Sequence, residues 1–274
     1  MERESPPSTR DVIVSLGVAF AALILVSLMG VGALGAVGVT EPNHPAVSAT
    51  LLVLTPTTIG ICAISFARLH SSTPWDLLAI RWGKYWGLFV GVVCAGVLSE
   101  GIYTWIQSHA SDLDGGAVDQ LGEAVQAGGV SGGFILLGAL VLAPVGEELF
   151  FRGWIFGAIE RRSGSMTAIG VSSLAFAGYH MDPAHALAIL PLAVWISWLR
   201  AISGGLGACV LAHMLNNGIW VFSTRAGTEE WDFFPWLGPL SAVGLAAMVG
   251  FVAWQKTSVA QEQSGLSGTG EQSG

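Results

Sequence analysis

Charge is scarce in this 274-residue sequence: Asp, Glu, Lys and Arg together make up 11% of it. A soluble domain carries about 25%, so a water-soluble globule of this size is excluded. A fully disordered chain is excluded too, because disorder goes with low hydrophobicity and high charge. Lysine occurs only at Lys84 and Lys256, and 11 basic residues face 19 acidic ones, for a formal charge of −8. No basic footprint for a phosphate backbone exists, so nucleic acid is excluded as a partner. Cys62, Cys94 and Cys209 are the only cysteines, each in an apolar stretch and none in a CxxC pair. That excludes a disulfide framework and a zinc-finger set. No Walker loop and no HExxH is present, which excludes a P-loop nucleotidase and a zincin.

What is present is apolar: 52% hydrophobic residues, a mean hydropathy of +0.63 and 37 glycines. About 20 apolar residues cross the hydrocarbon core as a helix. The sequence predicts an all-α polytopic membrane protein of about eight transmembrane helices. They fall near 12–35, 46–67, 85–106, 131–160, 164–181, 184–200, 204–223 and 233–255. The first lacks the small-residue cleavage site of a signal peptide and is read as retained. Basic residues fall in alternate loops: Arg3 and Arg10, then Arg68, Arg81 and Lys84, then Arg161 and Arg162, then Arg200, then Lys256. The opposite loops hold Glu41, Asp112, Asp114, Asp119, Glu123 and Asp182, and there only Arg225 is basic, among Glu229, Glu230 and Asp232. The positive-inside rule then places both termini in the cytoplasm, for a multi-pass protein of the cell inner or plasma membrane. The chain divides into a cytoplasmic tail (1–10), N-terminal helices with an outer loop at 107–130 (11–130), a core (131–223), a last helix (224–256) and a disordered tail (257–274).

Ionisable residues inside spans are costly and mark function by default. Three clusters qualify. In the fourth span, Glu147 and Glu148 are adjacent, and Arg152 lies four residues beyond Glu148, on the same helix face. Pairing with Arg152 would hold Glu148, while Glu147 points about 100° away, free to act as a base or a metal ligand. The fifth span ends on Phe176-Ala177-Gly178-Tyr179-His180. Taken alone, His180 reads as interfacial, Phe176 as a core aromatic and His185 as an outer-loop residue. In the seventh span His213 and Asn217 share a face, so an imidazole and an amide can turn toward one water or ion. At 1.5 Å per residue, Glu147, His180 and His213 each lie roughly 20 Å from the cytoplasmic ends of their spans. Three polar clusters at one depth predict one site within the helix bundle. It can hold a divalent ion on Glu147, His180 and His213, or a single water beside an oxyanion-stabilising group.

These residues resemble the CPBP (Abi) family of intramembrane proteases, which includes the type II CAAX prenyl endopeptidases and bacteriocin-immunity proteins. EExxxR is present as Glu147, Glu148 and Arg152; FxxxH as Phe176 and His180; HxxxN as His213 and Asn217. The three motifs occur in order, on separate spans. The resemblance implies a membrane hydrolase in which Glu147 activates water, His180 and His213 are essential partners, Asn217 assists the oxyanion or a metal, and Glu148 and Arg152 orient the site. The water can be bound to zinc or another divalent metal, or be metal-free. The substrate implied is a membrane-associated peptide or protein, met within the lipid bilayer. The competing readings are a non-catalytic immunity or scaffold protein of the same fold, and an ion transporter using its intramembrane carboxylates.

Overall fold

The computed structural model describes residues 7–83, 89–113, 116–126, 128–226, 246 and 250. The expected tail 257–274 and, apart from two residues, the expected span 233–255 lie outside them. Every regular element among the described residues is helical.

Helices α1 (Thr9–Ala36) and α2 (Pro45–His70) form an antiparallel pair. Ser8 caps α1: its hydroxyl accepts the Asp11 N–H while the Asp11 carboxylate accepts the Ser8 N–H. This reciprocal box satisfies two otherwise orphaned donors. Asp11 also lies 3.6 Å from His70 at the far end of α2, which fixes the antiparallel sense. On α1, Ile13, Phe20, Leu25, Leu28 and Met29 all face outward. A continuous exposed apolar face of this kind suits lipid rather than water. The short α3 (Pro74–Leu77), α4 (Phe89–His109) and α5 (Ala117–Gln126) follow.

Residues 129–179 then form one helical path of 51 residues. Straight, it would be roughly 77 Å long, far more than the roughly 30 Å hydrocarbon core. It doubles back at Gly164, whose φ of 81° is open to glycine at little cost. The Ser172 hydroxyl donates to the Phe151 carbonyl, 21 residues earlier, at 2.9 Å. Such a bond is possible only between antiparallel arms. In order, the path comprises α6 (Gly129–Leu137), a π-helical stretch (Gly138–Leu142), α7 (Ala143–Glu148), a second π-helical stretch (Leu149–Ile155) and α8 (Phe156–Tyr179). Helix α9 (Pro183–Ser203) starts at an Asp182 cap with Pro183 in its first turn and stops at left-handed Gly204; α10 (Leu206–Ala226) follows.

Five helices among the described residues are long and apolar enough to cross a membrane: α1, α2, the path 129–179, α9 and α10. The sequence reading expects eight. The doubled path contains 131–160 and most of 164–181, and α4 covers most of 85–106. One expectation needs correction. Residues 107–130 are not simply a loop, because α5 forms there, with Leu121, Ala124 and Val125 on its inner face. An apolar stripe of three residues is too short to stand out beside whole apolar spans.

The path is pressed against α2 where both backbones are bare. A Cβ added at Gly146 would sit 2.0 Å from the Pro56 carbonyl oxygen, and one at Gly60 3.3 Å from the Gly146 Cα. Pro56, inside α2, has no N–H for the Leu52 carbonyl, and Gly138 passes beside that carbonyl. Small residues permit this approach in lipid. Gly146→Ala should therefore push α2 off the segment that carries Glu147. The expected result in detergent is an early, broadened melt, while Gly170→Ala, where an added Cβ meets nothing within 4 Å, keeps its transition. An unchanged melt for Gly146→Ala would contradict this packing.

Candidate active site

The acidic pair sits at the end of α7, between the two π-helical stretches. A π turn carries an extra residue, and such bulges concentrate at functional sites. Glu147 is buried, and Glu148 and Arg152 are completely so. One Arg152 N–H donates to Glu148 Oε1 at 3.0 Å, the i, i+4 pair expected from the spacing. Arg152 also donates to the Ala193 carbonyl at 3.0 Å and to the Ser197 hydroxyl at 3.3 Å, both on α9. The Ser173 hydroxyl of α8 donates to the same Ser197 oxygen at 3.1 Å. Arg152 thus ties its own segment to α8 and α9.

The His213 imidazole of α10 reaches the same carboxylate: Nδ1 lies 2.9 Å from Glu148 Oε1. An ionised carboxylate only accepts, so Nδ1 is the donor there. Nε2 then faces Glu147, 3.8 Å from its Oε2. His180, which caps the end of α8, donates from Nδ1 to the Phe176 carbonyl at 3.0 Å. Both histidines are therefore fixed in one tautomer, with Nε2 left for chemistry. The Phe176 ring joins them. It meets His180 at 5.0 Å and His213 at 5.7 Å edge-on, and the Arg152 guanidinium lies 4.4 Å over its face. Asn217, four residues after His213, donates from Nδ2 to the Ala139 carbonyl of the first π stretch at 2.8 Å and accepts from Asn216 at 3.3 Å. All six candidate residues lie in one part of the bundle. Arg152 meets Glu148, Glu148 meets His213 and His213 faces Glu147, His180 joins through Phe176, and Asn217 is anchored beside them.

Residues 130–219 match the family model described as type II CAAX prenyl endopeptidase Rce1-like. No curated protein and no solved structure matches the chain. The Rce1-like segment carries all three motifs, and the long apolar helices in and around it are those of an integral membrane protein.

Within the Rce1-like segment, His185 corrects the sequence reading. It lies in the first turn of α9 rather than in an outer loop, with its ring 4.4 Å from that of His180. Pro183 opens that helix in its first turn, where its missing N–H costs nothing. Ser173 and Ser197, which hold Arg152, left no sequence signal, because serine in a membrane helix usually bonds its own backbone. Glu148 Oε2 is buried without a hydrogen-bond partner, an open acceptor beside His213. Among the described residues no three His, Cys, Asp or Glu side chains converge on one cation position. Glu147, His180 and His213 would have to draw together to bind a metal.

Proposed function

We propose that the chain is an intramembrane endopeptidase of the CAAX-protease type, cleaving peptide bonds of membrane-associated peptides or proteins. The observation that carries this reading is the pairing of Glu147 Oε2 with His213 Nε2 across 3.8 Å. That gap is too long for a direct bond and suits one water donating to both acceptors. Glu147 takes a proton from the water as its oxygen adds to the scissile carbonyl carbon. The resulting oxyanion is stabilised by the Asn217 amide, whose second N–H is not used by Ala139, while His180 Nε2, an acceptor in this tautomer, takes a hydrogen bond from a substrate N–H. Glu147 then returns the proton to the departing amine nitrogen. Glu148 and Arg152 hold the His213 ring in place. In the membrane, eight spans with both termini cytoplasmic accommodate the alternation of basic and acidic loops.

The test is purified protein in vesicles with a panel of membrane-anchored peptides, cleavage being read by mass spectrometry. Wild type should cleave at least one peptide, and Glu147→Ala, His180→Ala and His213→Ala should abolish it while inserting normally. Full activity in all three variants would refute the proposal. A chelator of divalent ions should leave the rate unchanged; loss of activity restored by zinc would favour a metal held by Glu147, His180 and His213 instead. A second reading, a non-catalytic immunity or scaffold protein, draws on the Arg152 network, which also serves packing. It predicts that the cellular phenotype survives Glu147→Gln.

A further inference from the structure

Two arginines of the Rce1-like segment are buried, and the fold treats them differently. Arg152 has a carboxylate, a hydroxyl and a carbonyl. Arg200, near the end of α9, is 5% exposed, and its Nε has no hydrogen-bond partner. Among the described residues it forms no ion pair, and its guanidinium lies 5.2 Å over the Phe156 ring. A buried unpaired cation is strongly unfavourable. Its neighbours worsen the imbalance, since Arg81 and Arg161 both repel it. The Arg81 Nε donates to the Gly204 carbonyl at 2.8 Å, which holds that side chain at the end of α9. Glu160 attracts Arg200 but makes no ion pair with it, and its Oε1 takes the Ser165 hydroxyl at 2.7 Å.

We propose that Arg200, flanked by Arg81 and Arg161, is the centre of a binding site for a phosphate oxyanion, supplied by the headgroup of an anionic membrane lipid. Guanidinium groups match phosphate oxygens in geometry as well as charge. Basic pockets between membrane helices are suited to such headgroups. The level in the membrane fits as well. Trp75 and Trp82 are exposed in the same α2–α4 connection that carries Arg81, and Arg68 lies 5.5 Å from the Trp75 ring. Exposed tryptophans beside arginines mark the headgroup region. This site is separate from the Glu147 machinery and does not depend on it.

The experiment compares wild type with Arg200→Met, which keeps the length of the side chain and removes the charge. In phosphatidylcholine nanodiscs the variant should melt no lower than wild type, because an uncompensated charge has gone. Adding phosphatidylglycerol at about a hundredfold excess over its Kd should raise the wild-type Tm by about 5–10 °C and leave Arg200→Met unmoved. A second variant, Arg81→Gln, should show a weakened rise. Inorganic phosphate at constant ionic strength separates the sources: no rise assigns the oxyanion to a lipid headgroup, and an equal rise assigns it to free phosphate. An equal rise in wild type and Arg200→Met, or none in either, overturns the proposal.

Discussion

Arg152→Ala should be the most destabilising single substitution in this chain. It leaves the Glu148 carboxylate buried with only the His213 N–H, and removes the donors to Ala193 and Ser197. Breaking a fully buried ion pair by deleting one partner costs about 3–5 kcal/mol. Arg152 also lies over Phe176, so the aromatic that touches both histidines loses its cover. The expected melt in detergent falls by about 10 °C or more. The double variant Glu148→Gln/Arg152→Met removes both charges and should recover most of that loss, because a neutral pair no longer carries the desolvation penalty. A double variant as unstable as Arg152→Ala would mean that the hydrogen bonds to α9, rather than the charge balance, hold this region.

Why the candidate site was readable at all follows from the solvent. In a bilayer each ionisable side chain needs a reason, so Glu147, Glu148, Arg152 and His213 stand out against Leu, Val and Ala without any structural knowledge. The i, i+4 spacing of Glu148 and Arg152 survives as a 3.0 Å bond even though the helix passes into a π turn between them. Depth counting placed the clusters at one level, and the contact of His213 with both carboxylates agrees with it. What spacing could not convey is the part played by neutral residues. Phe176 reads as one more core aromatic, yet its ring touches Arg152, His180 and His213. Gly146 reads as one of 37 glycines, yet it alone lets the Pro56 carbonyl approach so closely. Hydropathy is equally blind to direction. It registers the two apolar spans 131–160 and 164–181 and the break between them, but not that the turn is made within one helical path at the positive φ of Gly164.

The two adjacent glutamates should respond in opposite ways to the same change. Glu147→Gln keeps the shape of the side chain and breaks no bond within hydrogen-bond range, since the His213 Nε2 that faces it lies at 3.8 Å. Its melt should stay close to wild type. Its cleavage rate should fall by about 10²–10⁴, the usual contribution of a positioned general base. The loss should appear in kcat, with KM held, because the amide still lines the site but cannot take the proton. Glu148→Gln disturbs stability first, because Arg152 then keeps its charge in a dry interior without a counter-charge. Its melt should drop steeply, and the activity of the folded fraction should fall through misplacement of the His213 ring, which Glu148 Oε1 orients from Nδ1. The signature is thus one variant that folds normally and is inactive, beside one that is inactive because it is loose. If Glu147→Gln retained its rate while Glu148→Gln lost it at full stability, the base would be Glu148. Its unpartnered Oε2 would then be the atom that takes the proton from water.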